Sequence, residues 1–228
     1  MFEYFKLLIK FFAGFLKLRH VESLQTYPIL KSKTFSSIKR AKKFVNTKGV
    51  RDFVIEKFQN QPIDFIEFGV HRGDSLSKFS KGLPHIDNTF TGFDSFQGLP
   101  EVYDHPSLKK GVFTTQGELP DIKDNRVKFV KGYFNEKKNE IIEVCEKSKN
   151  TKLVHFDADI YSSTLYVLFS LDNYTPYYAI FDQFGGDEAR ALYSYLISAD
   201  KKIDILATSY VDKFNVSPGV TFMKIYNE

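Results

Sequence analysis

The feature that most constrains this chain is a glycine-bearing turn, followed later in the sequence by two strand-like runs that end in acidic residues. The turn is FIEFGVHRG (residues 65–73), and the two runs are VHFDAD (154–159) and YAIFDQF (178–184). Each segment has an apolar run with strand character, so its polar end is expected at the carboxyl end of a parallel strand. In an open α/β sheet, ligands bind at that edge. The sequence therefore predicts a ligand site built from these three segments.

Strand-like and helix-like segments alternate along residues 61–228. This alternation predicts a Rossmann-like, doubly wound α/β sheet of seven strands, most of them parallel. The last two strands are joined by too few residues for a crossover helix, so the last strand is expected to be antiparallel. The loop at residues 95–125 is rich in Gly, Pro and charge, which suggests a lid or a substrate loop.

The composition is that of one globular domain, with 228 residues of which 43% are hydrophobic. The net charge is only +4 and the sequence has no arginine-rich arm, which argues against a nucleic-acid partner. Cys145 is the single cysteine and cannot form an internal disulfide. A reducing, cytoplasmic setting is therefore expected.

Residues 1–20, MFEYFKLLIKFFAGFLKLRH, predict an amphipathic helix. Lysines interrupt its apolar run and no small-residue cleavage site follows, so it matches neither a cleavable signal nor a membrane span. Two alternatives stay open for its apolar face. It packs on the protein or on a second subunit of a homo-oligomer, or it makes a peripheral contact with the inner membrane surface. Residues 21–60 are expected to form a helical cap.

The turn itself has the spacing Glu-x-Gly-x-x-x-Gly, from Glu67 through Gly69 to Gly73. This is neither the Gly-x-Gly-x-x-Gly of dinucleotide enzymes nor a P-loop. Asp94 ends the next strand, roughly 25 residues after Glu67, close to the offset of about 20 residues at which an acid binds ribose hydroxyls. Together they predict a nucleoside cofactor. The alternatives are a turn that binds nothing and an aspartate that only caps it.

Five stretches carry a resemblance to a known family: EFGVHRGDS, GFDSFQGLPE, VKGYF, HFDADIYSST and FDQFGGDEARAL. In this order they resemble the class I S-adenosylmethionine (SAM)-dependent O-methyltransferases of the macrocin and mycinamicin sugar type. The resemblance covers residues 64–195, and FDSFQGLPE and DADIYSST are its most specific phrases. It implies that residues 61–228 are a methyltransferase domain that uses SAM and a divalent cation, usually Mg²⁺.

The resemblance also implies roles for individual residues. Those expected to bind the cofactor are Glu67, Gly69, Val70, His71, Gly73, Ser75, Asp94, Ser95, Gly132, Tyr133 and Asp157. Those expected to hold the metal are Asp157, Asp182 and Gln183. Gln183 departs from the family, in which relatives often carry Asp. A neutral amide oxygen is expected to hold a divalent cation more weakly, or else Asp159 turns inward to compensate.

Asp157 and Asp159 are the candidate catalytic residues. They alternate along a segment that looks extended, so they are expected to point to opposite sides of it. Asp157 is then the metal ligand, and Asp159 its neighbour or the base. The alternative is that Asp159 or Ser162 only caps the following helix. His155 lies in the middle of a strand, so we expect a core histidine and not a catalyst.

We therefore expect a metal-assisted O-methyltransferase that acts on a sugar hydroxyl. The acceptor could be a polysaccharide, a nucleotide-sugar or a glycosylated small molecule. Two alternatives stay open. One is a non-sugar small-molecule acceptor. The other is a membrane-associated protein that binds SAM without reacting, for which Gln183 is the supporting feature.

Overall fold

The structure, a computed structural model, describes residues 21–101, 110–210 and 218–227, with side chains from residue 26 onwards. The amphipathic helix expected at residues 1–20 lies outside this part of the chain. Among the described residues, no helix is both long and apolar enough to cross a membrane.

In the described part of the chain, eight strands form one sheet. They are β1 (Lys42–Phe44), β2 (Ile63–Phe68), β3 (Thr89–Asp94), β4 (Val127–Lys131), β5 (Thr151–Phe156), β6 (Tyr177–Phe181), β7 (Lys201–Tyr210) and β8 (Pro218–Asn227). The α-helices are α1 (Val21–Leu30), α2 (Thr47–Phe58), α3 (Asp74–Gly82), α4 (Lys138–Glu146), α5 (Tyr161–Ser170) and α6 (Asp187–Ser198). Short 3-10 helices lie at Lys33–Lys39, Phe134–Glu136 and Asp172–Tyr174.

The order of the strands across the sheet is β1-β7-β8-β6-β5-β2-β3-β4. Strand β8 is antiparallel to both of its neighbours, and the other neighbouring pairs are parallel. The expected α/β class, the mostly parallel sheet and the antiparallel last strand are confirmed. Because the chain order reverses between β2 and β5, the carboxyl ends of these two strands open a crevice at the topological switch point.

The sheet has one strand more than the seven expected from the sequence. Strand β1 pairs in parallel with β7 and lies within residues 21–60, where a helical cap was expected. That segment also contains α1, a 3-10 helix and α2. The sequence of β1 is KKF, and its two lysines are exposed at the edge of the sheet. Three residues with two solvent-facing side chains leave no hydrophobic pattern by which to recognise a strand.

Strand β2 is buried at all six of its positions, as in a parallel strand covered on both faces. Its side chains alternate between two hydrophobic clusters. Ile63 and Phe65 enter one cluster, and Ile66 and Phe68 enter the other. Glu67 is fully buried in the same strand. A buried carboxylate requires partners, and these partners define the site.

Candidate active site

Gly69 is required where the end of β2 passes close to the end of β5. Its φ is +94°, and a Cβ at this position would lie 1.8 Å from the carbonyl oxygen of Asp157. Beside it, the backbone N–H of Asp157 donates to the carbonyl of Phe68 at 2.9 Å. Gly73, with φ +79°, is the N-cap of α3. The turn thus packs the end of β2 closely against the end of β5.

Asp94, at the end of β3, fills the anion site of this turn. Its Oδ2 accepts the backbone N–H groups of Val70 and His71, both at 2.8 Å. Its Oδ1 accepts the N–H of Phe96 at 2.6 Å. Free N–H groups at the start of a helix bind phosphates in nucleotide-binding folds. Here the carboxylate of Asp94 occupies the position that a phosphate would take. Its oxygens have further lone pairs, with which they can accept hydrogen bonds from the hydroxyl groups of a ligand.

A cavity of about 530 Å³ opens at the carboxyl ends of the strands, a size that suits a small-molecule ligand. Eight of the residues predicted from the sequence line it: Gly69, His71, Asp94, Ser95, Tyr133, Asp157, Asp159 and Gln183. Four of the described lining residues are acidic, and none of those described is Lys or Arg. The cavity is therefore suited to a ligand that is neutral or positively charged.

Six other predicted residues lie in the wall or behind it and do not line the cavity: Glu67, Val70, Gly73, Ser75, Gly132 and Asp182. Oε1 of Glu67 accepts a hydrogen bond from the hydroxyl of Ser75. Its Oε2 is buried and has no hydrogen-bond partner among the described residues. The backbone N–H of Gly132 donates to the carbonyl of Asp94 at 2.9 Å. These residues support the cavity from behind.

His155 lies between Glu67 and Asp182. Its Nδ1 is 2.7 Å from Oε1 of Glu67, and its Nε2 is 3.6 Å from Oδ1 of Asp182. Burial by itself lowers the pKa of a histidine. The carboxylates of Asp182 and Glu67 outweigh this effect and raise the pKa of His155 to about 10. The ring is fully buried and does not line the cavity, as expected for a histidine in the middle of a strand.

Asp157 lines the cavity and Asp182 lies close behind it, and their pKa values are shifted in opposite directions. Burial, and next the charge of Asp182, raise the pKa of Asp157 to about 8. Burial would also raise the pKa of Asp182, but the His155 ring and the Arg51 guanidinium outweigh it and lower this pKa to about 2. Positive charge thus outweighs burial at Asp182, whereas at Asp157 the charge of His155 does not outweigh burial and the charge of Asp182.

Asp159 does not point away from Asp157, and the expectation of opposite sides was wrong. Strand β5 ends at Phe156, and Asp159 has a φ of +58°, so the segment is not extended there. Both aspartates consequently line the same cavity. Ser162 does not cap α5, because the N-cap residue of this helix is Ile160, and the Ser162 hydroxyl donates to Glu101 at 2.5 Å.

The donor set fits a divalent cation. Oxygens of Asp157 and Asp182 lie, with a ring nitrogen of His155, within 4.8 Å of one another. His155 is not available as a ligand, because its two ring nitrogens face carboxylates. Mg²⁺ is usually held by one or two carboxylates, with water and substrate oxygens completing its shell. Asp157 and Asp182, with the amide oxygen of Gln183, meet that need.

Two residues of the site were missed by the sequence reasoning. Arg51, on α2, donates to Oδ1 of Asp182, 131 residues away, and no local pattern marks it. Glu188, in the first turn of α6, was not among the predicted site residues. It is buried, and its Oε2 accepts the N–H of Gln183 at 3.1 Å. Burial, and next the charge of Asp157, raise the pKa of Glu188 well above its ordinary value.

The outer wall of the cavity also contains polar residues to which the sequence assigned no role in binding. They are Glu101, Asn135, Ser162, Ser163 and Tyr166. The hydrogen bond between Ser162 and Glu101 joins the loop after β3 to helix α5. The interpretation of this loop as a substrate loop agrees with its position at the cavity mouth, although its residues 102–109 lie outside the described part.

Comparison with known proteins supports the fold. No protein-family model matches the sequence, and no curated protein matches it. The solved structure of the O-methyltransferase NovP is similar, with 19% identity, 79% of each chain covered and a TM-score of 0.52. CalS11, the TDP-rhamnose 3′-O-methyltransferase of calicheamicin biosynthesis, has 17% identity and a TM-score of 0.50, with 89% of this chain and 93% of that chain covered. The chain has the Rossmann-like fold of these methyltransferases.

Proposed function

We propose that this chain is a SAM-dependent O-methyltransferase. The observation that carries the proposal is Asp94, whose carboxylate occupies the anion site of the turn at the edge of an acidic cavity. Cofactors such as NAD and ATP place their phosphates on such a site. SAM is a nucleoside cofactor without phosphate, and its sulfonium and ammonium groups outweigh its one carboxylate, so that its net charge is positive. The charge of the cavity suits SAM and opposes the phosphate-bearing cofactors.

Residues around the turn would hold this cofactor. Asp94, with Ser95 beside it, would take the ribose hydroxyls through the lone pairs that its backbone partners leave. Gly69 and His71 would border the methionine portion, and Tyr133 the adenine. Glu67 would act from behind the turn, because it is fully buried and bonded to Ser75.

A sugar hydroxyl is the acceptor that the outer wall favours. Asn135, Ser162, Tyr166 and Glu101 offer hydroxyl, amide and carboxylate groups to a ligand rich in hydroxyls. Polar groups placed in this way give a pocket its specificity. One protein of the same fold, CalS11, is a TDP-rhamnose 3′-O-methyltransferase, which supports a sugar acceptor.

When bound, SAM supplies the methyl group, and a divalent cation lowers the pKa of an acceptor hydroxyl. Asp157, Asp182 and Gln183 would hold the cation. Asp159, on the cavity wall, would accept the hydroxyl proton at a carboxylate oxygen. The wall residues fix the acceptor in line for transfer, which is the main source of rate in a displacement of this kind.

The proposal is tested by transfer of a labelled methyl group from SAM to a panel of sugars, with and without Mg²⁺. The Asp159→Asn variant should bind S-adenosylhomocysteine like the wild type, while transfer falls by about 100-fold or more. Full transfer by this variant would remove Asp159 from the chemistry. Transfer only to non-sugar acceptors would overturn the sugar assignment, and SAM binding without transfer to any acceptor would favour an inactive binding protein.

A further inference from the structure

The guanidinium of Arg51, which carries a fixed positive charge, lies beside the carboxylates of Asp157 and Asp182. Arg51 reaches from α2 and donates an Nη2 hydrogen bond to Oδ1 of Asp182. The two side chains are 24% and 21% exposed, so water screens this pair only in part. The Nε of Arg51 is buried without a hydrogen-bond partner among the described residues. Asp182 is therefore the group that orients the guanidinium.

We propose that Arg51 is a resident counter-cation that competes with a divalent cation for Asp182 and so weakens metal binding at this site. The inference rests on the metal site of the proposed function. Arg51 acts together with Gln183, which lacks the charge that an aspartate would contribute. Compared with a site that has Asp at position 183, Gln183 leaves the site with one negative charge fewer. Arg51 adds a positive charge beside it.

The electrostatic argument needs only charges that are fixed. An arginine keeps its charge at any pH that a protein tolerates. Asp157 and Asp182 would hold a divalent cation with a carboxylate that Arg51 already engages, because its guanidinium donates to Oδ1 of Asp182. Like charges a few ångströms apart in a partly buried site repel strongly. A metal could therefore bind only if Arg51 moved away from Asp182 or if the repulsion between the two positive charges remained. Either case lowers the affinity for the metal.

A purely structural role for Arg51 makes a different prediction. In that case the ion pair only fastens α2 to the end of β6 and holds Asp182 in place. Replacing Arg51 would then loosen Asp182, and metal affinity would fall or stay the same. The two readings differ in the sign of the change, so metal affinity separates them.

The test is a titration with Mn²⁺, with free Mn²⁺ measured by electron paramagnetic resonance. Arg51→Met and Arg51→Gln both remove the charge, and Gln keeps a hydrogen-bond donor. Lys48→Gln is the matched control, because it removes one positive charge from the same helix at an exposed pair with Asp52. We expect both Arg51 variants to bind Mn²⁺ at least about fivefold more tightly than the wild type, with Lys48→Gln unchanged.

Unchanged or weaker Mn²⁺ binding in folded Arg51 variants overturns the inference, as does an equal gain in the Lys48 control. A second measurement does not depend on any variant. The wild type should bind Mn²⁺ with a dissociation constant on the order of millimolar, and a constant on the order of 10 μM or tighter contradicts a resident counter-cation. S-adenosylhomocysteine binding is titrated in parallel. If S-adenosylhomocysteine does not bind, the proposed function is wrong. A gain in Mn²⁺ affinity in the Arg51 variants would still support the inference about Arg51.

Discussion

The Nδ1 atom of His155 lies 2.7 Å from Oε1 of Glu67, its register partner on the neighbouring strand. Ser75 bonds the same Glu67 oxygen, and on the other side of the ring Asp182 bonds Arg51. These five polar side chains run beneath the cavity from the glycine turn to the end of β6. Because charged groups in a protein interior need partners, this network of hydrogen bonds and ion pairs holds the glycine turn and Asp182 in place together.

Replacement of His155 by Gln should cost stability in a pH-dependent way. The folded pKa of His155 is raised from 6.5 to about 10, so its contribution is complete below 6.5 and is lost as the pH rises through about 10. We expect the difference in unfolding free energy between wild type and variant to shrink by at least about 1.4 kcal/mol over that range. Denaturant titrations at several pH values measure it, and a constant difference would contradict the imidazolium assignment.

Replacement of Gly69 by Ala should be far more costly than the same change at Gly111. Both glycines have positive φ, +94° and +83°, so both variants carry the same kind of backbone strain. A Cβ at Gly69 meets the carbonyl of Asp157 at 1.8 Å, whereas a Cβ at Gly111 meets no described atom within 4 Å. We expect Gly69→Ala to lose at least about 2 kcal/mol more than Gly111→Ala in unfolding free energy. Equal losses would show that the turn is not packed against the end of β5.

Removal of Asp94 should reverse the charge preference of the turn. In Asp94→Ala the N–H groups of Val70 and His71 lose their acceptor, which leaves an empty anion site in the turn before α3. We expect S-adenosylhomocysteine binding to be lost and inorganic phosphate to raise the melting temperature of the variant, but not that of the wild type. Asp74→Ala is the control, because it removes the same charge from the first turn of α3 without uncovering these groups. Equal phosphate effects in both variants would contradict the assignment.

Replacement of Glu188 by Gln should stabilise the protein above acidic pH. The folded pKa of Glu188 is raised well above 4.5, so the unfolded chain loses a proton that the folded chain keeps as the pH rises past 4.5. Gln is neutral throughout and can still accept the N–H of Gln183. We expect the variant to match the wild type at pH 4 and to exceed it in unfolding free energy at pH 8. The exposed Glu56→Gln serves as control, and a gain that does not depend on pH would contradict the explanation.

The sheet could be predicted because its signal is local. Apolar runs of five or six residues alternate with helical segments, and the connection between the last two strands is too short for a helix. Strand β1 could not be recognised, since its side chains mostly face solvent and its pairing with β7 is set by tertiary contacts. A local pattern does not carry that information.

The site could be predicted in part, because carboxyl ends of parallel strands meet at one edge whatever the loops do. This reasoning brought Asp94, Asp157 and Gln183 to the cavity. It failed for Asp159, which was expected on the side of the segment opposite to Asp157. The φ of +58° at Asp159 breaks the extended conformation on which that expectation depended, and no residue pattern indicated it. It also missed Arg51, because a cation 131 residues from its partner is brought there only by the packing of α2 on the sheet.

The central claim is that this cavity binds a nucleoside cofactor that has no phosphate and does not bind a phosphate-bearing one. Calorimetric titration of the wild-type chain with SAM, S-adenosylhomocysteine, ATP and NAD⁺ tests it most directly. We expect SAM and S-adenosylhomocysteine to bind with constants on the order of micromolar, and ATP and NAD⁺ to give no measurable heat at concentrations on the order of millimolar. Failure of SAM to bind, or binding of ATP or NAD⁺ as tight as that of SAM, would contradict the account.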